Sequence, residues 1–256
     1  MKKKLIKTKP KIAIISLTSD EGCQFVLLDL GKKLFNLFKE VELVNFSLIE
    51  DENLPPGKID VAFVEGVPIT KNDVKLLKLI RNRSKILVVI GNCAALGGVP
   101  EMKNYQGKEK TIRFIYKNTK GIANPEIKKV DNFVKVDFVI PGCPINGEEF
   151  LRLAKILITG KIPEIPQEPV CLECPKRATP DCYLVKRMIC FGPITLRGCG
   201  AICPKNETAC LACRGILKNI NPQNFLNALE RFANKKEIKE CLEIFGIKDE
   251  IIKKVK

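Results

Sequence analysis

Eight of the 12 cysteines in this chain lie in one segment, from Cys171 to Cys213. Two CxxC pairs, Cys171/Cys174 and Cys210/Cys213, bound the segment. The thiolates of such a pair converge across a tight turn and can bind two corners of one metal site. Eight thiolates are the number that two four-iron clusters require. The segment therefore predicts an electron-carrying iron–sulfur module, with these candidate ligands: Cys171, Cys174, Cys182, Cys190, Cys199, Cys203, Cys210 and Cys213.

Three further cysteines, Cys23, Cys93 and Cys143, each follow a predicted β-strand and each have a glycine shortly before them. In an open parallel sheet, the loops after the strands meet at the carboxyl edge, where ligands bind. Glycine lets the backbone approach a bulky ligand closely. Buried structural cysteines are the alternative explanation. The placement shared by all three cysteines favours a second metal site at the sheet edge.

A four-iron cluster at this edge needs a fourth ligand. Asp20 stands three residues before Cys23, where a CxxC pair would have its first cysteine. A carboxylate oxygen is a harder ligand than a thiolate, so we expect Asp20 to shift the cluster's potential and to make one iron more labile. Glu21 and solvent are the other candidates for the fourth ligand. A three-iron cluster held by the three cysteines alone is a further alternative.

Short apolar runs alternate with amphipathic stretches in the first half of the chain. Runs rich in Val and Ile that alternate with helices predict a parallel α/β sheet covered on both faces. The predicted strands are 11–17, 41–46, 60–64, 85–90 and 136–140, and the predicted helices are 25–38, 71–82 and 145–159.

Three prolines, Pro163, Pro166 and Pro169, separate this α/β domain from the cysteine module. We therefore predict a first domain over residues 1–162 and an iron–sulfur module with C-terminal helices over residues 163–256. The predicted C-terminal helices cover 222–233 and 236–245, and the polar, lysine-rich stretch 107–132 is predicted to leave the core. Cys241, among apolar neighbours on the last of these helices, is predicted to be a buried structural cysteine.

Composition narrows the function classes. The absence of histidine excludes histidine-ligated zinc or haem, Rieske centres and Ser-His-Asp catalysis in this chain. The net charge of +15 is explained by lysine-rich solvated faces, and no nucleic-acid partner is expected, because tryptophan is absent and only three tyrosines are available for base stacking. The N-terminal residues predict no secretory leader, and no apolar run is long enough to span a membrane. We therefore expect a reducing, cytoplasmic location.

At its cysteine motifs, the chain resembles the small subunits of nickel–iron hydrogenases, above all those of cytoplasmic F420-linked, heterodisulfide-reductase-linked and sulfhydrogenase complexes. The quinone-reductase subunit of respiratory complexes shares the first domain but lacks the cysteine module. The resemblance extends over nearly the whole chain and rests on these segments: LTSDEGCQ, VEGV, GNCAALGG, PGCPINGEE, CFGPITLRGCGAICP and CLACRG.

The resemblance implies a flavodoxin-like first domain and three [4Fe–4S] clusters. The proximal cluster would be held by Cys23, Cys93, Cys143 and Asp20. Some F420-linked relatives also use an aspartate at the proximal cluster. The resemblance assigns Cys199, Cys203, Cys210 and Cys213 to a medial cluster and Cys171, Cys174, Cys182 and Cys190 to a distal one. Glu65 would lie near the proximal cluster and the subunit interface. The implied partners are a large subunit carrying the nickel–iron site and a flavin or iron–sulfur subunit that accepts the electrons.

Three other functions compete with this interpretation. CxxC pairs also occur in structural zinc sites, so a basic, zinc-stabilised nucleic-acid binder is one of them. The irregular cysteine gaps and the prolines after Cys174 and Cys203 favour iron–sulfur. The other two are the same relay attached to a large subunit without nickel, and a purely structural scaffold.

Overall fold

The computed structural model of this chain describes residues 9–50, 54–123 and 125–255. Residues 1–8, to which the prediction of no leader applies, lie outside this part. One five-stranded parallel sheet organises the first half. Its strands are β1 (Lys11–Ser16), β2 (Glu42–Phe46), β3 (Ile59–Glu65), β4 (Ser84–Ile90) and β5 (Phe138–Ile140).

The strand order is β2-β1-β3-β4-β5. This is the flavodoxin-like order of a doubly wound sheet, whose switch point lies between β1 and β3. The predicted α/β fold with a flavodoxin-like parallel sheet is therefore confirmed.

Helices follow most strands of the sheet, and further short helices form the C-terminal part. Three-residue and four-residue 3-10 turns occur at Met102–Tyr105, Val130–Asn132 and Val170–Leu172. The α-helices are α1 (Gly22–Asp29), α2 (Lys32–Glu40), α3 (Lys71–Arg83), α4 (Gly91–Leu96), α5 (Gly98–Glu101), α6 (Lys108–Ile115), α7 (Gly147–Leu157), α8 (Ile202–Lys205), α9 (Gln223–Leu229), α10 (Lys235–Glu243) and α11 (Ile247–Val255).

Alternation along the central strands divides the first core into two layers. Ile14 and Phe63 point to the side covered by α1, α2 and α7, whereas Ala13 and Val64 point to the side covered by α3 and α4. Successive side chains of a strand point to opposite faces, so a sheet covered on both faces requires apolar residues at every position. The resulting rigid sheet fixes where its carboxyl edge presents the loops.

The helix predicted over 25–38 is wrong as one element. The chain breaks between α1 and α2 at Gly31, whose φ is 50°. A residue with a positive φ cannot continue a right-handed helix, and glycine adopts a positive φ without steric cost. The break lets both helices turn onto the same face of the sheet.

The second half has a core of its own, built from α9, α10, α11 and the loops around Phe191. The third of these helices, α11, was absent from the prediction, yet its Ile247 and Ile251 are buried. Cys241 on α10 is only half-buried against this core, less than the sequence predicted. The domain boundary between residues 162 and 163 stays a prediction.

The segment 107–132 leaves the core only in part. Phe114 on α6 is 91% exposed, as expected of an excursion. Val130, by contrast, is fully buried and packs with the layer beneath α3. The segment therefore returns to the sheet before β5, and its last residues belong to the core.

We predict that Phe150→Ala destabilises the chain strongly. Phe150 on α7 is fully buried, and its ring centroid lies 4.9 Å from that of Phe63. Removing a buried phenylalanine ring costs about 3–5 kcal/mol, because apolar contacts are lost and a cavity remains. The free energy of unfolding from anaerobic urea denaturation measures it. Phe114→Ala is the matched control, with almost no effect expected, and equal losses for both variants would contradict the assignment of the core.

In the part of the chain that the structure describes, no helix combines the length and the apolar character needed to cross a bilayer.

Candidate functional site

A cavity of about 300 Å³ opens at the carboxyl edge of the sheet, beside the switch point. Cys23 reaches it from the first turn of α1, Cys93 from α4, and Cys143 from the loop after β5. The structure thus brings together the three isolated cysteines from the ends of three different strands. Asp20 and Glu65 also line this cavity.

Glu65 holds the start of α1, and with it Cys23, in place. The residue is 2% exposed, and its carboxylate accepts hydrogen bonds from the backbone N–H groups of Cys23, at 2.8 Å, and Gln24, at 3.2 Å. The first N–H groups of a helix have no partner within the helix, and α1 has no side-chain cap from its own N-cap residue. The last residue of β3 therefore supplies the cap across the switch point.

Asp20 lies at the mouth of the cavity and is exposed. One of its carboxylate oxygens accepts a hydrogen bond from the N–H of Gly22 at 3.1 Å. Burial, followed by the charges of Asp20 and Glu65, raises the pKa of Cys93 to about 11. Asp20 and this thiol line the same cavity.

The other two thiols of the cavity are also held neutral by their surroundings. Burial and the nearby Glu65 carboxylate raise the pKa of Cys23 far above its ordinary value. Burial, together with Cys93 and Asp20, raises the pKa of Cys143 to about 11. The thiols would lose their protons only on binding a cation, and bound iron would supply the positive charge that three thiolates beside these carboxylates require.

The absence of a side chain at Gly91 leaves space for the Cys23 thiol and for a metal cluster bound to it. A Cβ atom on Gly91, whose φ is 84°, would lie 2.6 Å from the sulfur of Cys23. No side chain can be added there without moving that sulfur. The three thiols, the carboxylate of Asp20 and the open space between them are a donor set that fits an iron–sulfur cluster.

The cysteine module forms a second group of thiols. Cys171, Cys174, Cys182 and Cys190 line a cavity of about 60 Å³, to which Cys210 also contributes. Burial, followed by the other three cysteines of this set, raises the pKa of Cys171 to about 11. Gly192 lies against the set, and a Cβ there would meet the Cys171 sulfur at 3.2 Å.

The third group consists of the remaining thiols of the module, Cys199, Cys203, Cys210 and Cys213. Burial raises the pKa of Cys213 to about 12, with the charges of Cys199 and Cys203 adding to it. Hydrogen bonding from the backbone of Cys143 opposes that rise in pKa. Cys210 also lines the cavity of the second group, and the carbonyl of Cys213 accepts a hydrogen bond from Asn92, which lines the cavity of the first.

Among the described residues, no three or more cysteine, aspartate or glutamate side chains are arranged to hold a single metal ion.

Three residues that the sequence did not single out connect the first and third groups. Asn92 donates from its side chain to the backbone carbonyl of Cys213 at 2.8 Å. Arg214 and Glu149 form a buried ion pair, with Nη1 2.8 Å from Oε2. An asparagine and an arginine directly adjacent to candidate cysteine ligands were the only signal available in the sequence.

A family model described as NADH ubiquinone oxidoreductase, 20 Kd subunit, matches residues 21–157, which is more than half of the chain. The chain belongs to this family. The matched part contains the whole parallel sheet beyond β1 and the three cysteines at its edge.

Curated relatives extend the match to the cysteine module. Sulfhydrogenase 2 subunit delta of Pyrococcus furiosus is 35% identical over 92% of this chain and 99% of that protein. A subunit of the F420-non-reducing hydrogenase vhu of Methanocaldococcus jannaschii is 33% identical over 80% of this chain and 81% of that protein. The predicted resemblance to the small subunits of hydrogenases is therefore confirmed.

Solved structures agree with the fold. A chain of a NAD+-reducing [NiFe]-hydrogenase in the H2-reduced state has a TM-score of 0.54 and 26% identity, over 62% of this chain and 96% of that chain. A chain of an H2-activated [NiFeSe]-hydrogenase from Dm. baculatum has a TM-score of 0.59 and 15% identity, over 81% and 94%. At 15% identity, the second likeness supports the fold alone.

Proposed function

We propose that this chain is the iron–sulfur electron-transfer subunit of a nickel–iron hydrogenase complex. It would relay electrons between an active site on a large partner subunit and a flavin or iron–sulfur partner. One observation carries the proposal: three cysteines from three strand ends line a single cavity at the switch point, next to a module with eight more. Relatives that match most of the chain carry hydrogenase names, which supports it.

The ligand sets of this proposal follow the three groups of thiols. The proximal set is Asp20, Cys23, Cys93 and Cys143, at the sheet edge. The medial set is Cys199, Cys203, Cys210 and Cys213, and the distal set is Cys171, Cys174, Cys182 and Cys190. Three [4Fe–4S] clusters bound there would supply one-electron transfer at potentials set by charge, hydrogen bonds and exposure.

The chain's own residues orient the ligands and exclude water. Glu65 fixes the backbone of Cys23, and the sheet layers bury the inner side of the proximal cavity. The large subunit would cover its open side, where Asp20 is exposed. Electrons would leave near Cys171 and Cys174, which are half-buried beside the exposed Leu172. A cytoplasmic location, where thiols stay reduced, completes the proposal.

The test is the iron and acid-labile sulfide content of the chain, purified without oxygen together with its natural partner. About twelve irons per chain, with sulfide, are expected for three four-iron clusters. EPR spectra of the reduced and oxidised protein would then resolve three centres, and nickel in the copurifying chain would identify a hydrogenase. Iron and sulfide with a nickel-free partner would mean a different oxidoreductase, and two zincs without sulfide would overturn the relay.

Asp20→Cys is expected to change the EPR spectrum and the midpoint potential of one centre only, the proximal one. A thiolate would replace a harder carboxylate ligand, while the medial and distal sets are untouched. The redox titration of the variant is compared with that of the wild-type complex.

Glu21→Gln serves as the control, because Glu21 is the rival carboxylate beside Cys23. If Asp20 is the ligand, this variant keeps the wild-type spectrum. A spectrum that changes in Glu21→Gln, and not in Asp20→Cys, would transfer the fourth ligand to Glu21.

A further inference from the structure

Arg214 is the most completely buried cation described in the chain, and it directly follows Cys213. Its side chain is 0% exposed, and the Glu149 side chain that pairs with it is 6% exposed. Nη2 donates to Oε1 of Glu149 at 2.9 Å, and Nη1 lies 2.8 Å from Oε2. A buried ion pair is weak evidence for stability, because desolvation offsets most of the attraction. The pair therefore calls for an explanation other than stability.

The guanidinium joins three segments of the chain at one point. Nη1 donates to the carbonyl of Pro141 at 2.7 Å, and Nε donates to the carbonyls of Leu196 and Arg197, each at 3.1 Å. All three nitrogens are thus engaged. A Cβ on Gly198 would lie only 2.4 Å from Nη2. The segment that contains Leu196 and Gly198 therefore approaches the guanidinium as closely as a glycine allows.

These contacts lie on both sides of the junction between two groups of thiols. Pro141 stands two residues before Cys143 of the proximal set, and Glu149 stands six residues after it. Arg214 stands one residue after Cys213 of the medial set. Anchoring the arginine therefore fixes the backbone of Cys213 relative to the loop that carries Cys143.

Two further contacts cross the same junction. The Asn92 side chain donates to the carbonyl of Cys213 at 2.8 Å, and its backbone N–H donates to the carbonyl of Gly142 at 2.6 Å. Asn92 thus ties the backbone of Cys213 to the loop that carries Cys143.

We propose that Arg214 is a positioning residue that fixes the backbone of Cys213 against the loop that carries Cys143, and thereby sets the coupling between the medial and proximal centres. This inference rests on the proposed function. Residues beyond the ligands orient those ligands and tune the metal centre that they hold. If Cys213 is no longer anchored, it changes its position relative to the Cys143 loop, and the interaction between the two centres weakens.

Two variants test the proposal in the intact complex. Arg214→Lys keeps the positive charge, but a single ammonium cannot reproduce the planar fork that reaches Glu149, Pro141 and Leu196 together. The double variant Arg214→Met/Glu149→Leu covers the case in which the lysine variant fails to fold. It removes both charges together, so that no buried carboxylate is left unpaired. The control is Arg197→Met/Glu168→Leu, a neighbouring ion pair at 2.8 Å whose side chains are 37% and 43% exposed.

The readouts are iron and sulfide content, the midpoint potential of each centre from EPR-monitored titration, and the magnetic interaction between the proximal and medial centres. We expect wild-type iron content in both Arg214 variants and a weaker interaction between the proximal and medial centres, with the potential of the distal centre unchanged. The control keeps all three wild-type values.

A wild-type interaction between the two centres in both Arg214 variants, at full iron content, would overturn the proposal. Loss of the medial iron from both variants would also overturn it, because Arg214 would then serve to hold the cluster rather than to tune it. A wild-type chain without iron and sulfide would overturn the proposed function and this inference with it.

Discussion

Replacing Glu65 with glutamine is expected to raise the reduction potential of the proximal centre and to destabilise the fold around it. The Glu65 carboxylate accepts hydrogen bonds from the N–H groups of Cys23 and Gln24, and the residue is 2% exposed. A glutamine offers one oxygen and one NH2 group, so one of the two backbone donors loses its acceptor. An unpaired buried donor costs about 1–3 kcal/mol.

The rise in potential follows from the lost charge. A negative charge in contact with the helix that carries Cys23 disfavours adding an electron to a cluster at this site, and the effect is strong where water is excluded. An EPR-monitored titration of the anaerobic complex measures the potential, and chemical denaturation measures the stability.

Glu148→Gln is the matched control for the same chemical change. Glu148 lies on α7, its side chain is 64% exposed, and it pairs with Lys33 at the surface. An exposed ion pair contributes little, so neither potential nor stability should move appreciably. If Glu65→Gln behaves like Glu148→Gln, Glu65 neither orients Cys23 nor influences the centre.

Gly91→Ala is expected to empty the proximal site while the other two remain loaded. A Cβ at Gly91 would lie 2.6 Å from the sulfur of Cys23, so the thiol or the strand end must move. Loss of about four of about twelve irons is expected, together with the EPR signal of one centre. Iron analysis and EPR of the anaerobic complex measure both.

Gly160→Ala is the control that distinguishes displacement of the Cys23 sulfur from the backbone strain of a positive φ. Gly160 has a φ of 83°, almost equal to the 84° of Gly91, but a Cβ there would have nothing within 4 Å. Both alanines carry the left-handed penalty of about 1–2 kcal/mol, and only one of them displaces a thiol. Equal iron loss in both variants would show that strain alone disturbs the site.

Local pattern was enough to find the strands and the helices α3, α7, α9 and α10, because a strand or helix repeats its apolar positions within a few residues. It failed where a single residue overrides the repeat, as at Gly31, which divides one predicted helix into α1 and α2. It also missed α11, whose apolar residues Ile247 and Ile251 pack against α10 and the module loops. That packing lies outside any local window.

The functional site was likewise predictable from the sequence only in part. That Cys23, Cys93 and Cys143 lie at one sheet edge was predictable, because parallel strands present their carboxyl ends together. That Glu65 would accept from the amide of Cys23 was not, since the two residues are 42 positions apart and meet only through the pairing of β1 with β3.

By itself, the sequence determined the residue types that can bind iron, their grouping along the chain and the parallel sheet that positions the first group. These depend on composition, spacing and short-range periodicity. Only the tertiary structure decided how the groups meet: Arg214 pairs with Glu149 across 65 positions and with the carbonyl of Pro141 across 73. Such contacts depend on the packing of the module against the sheet, and that packing is a property of the whole core rather than of any segment.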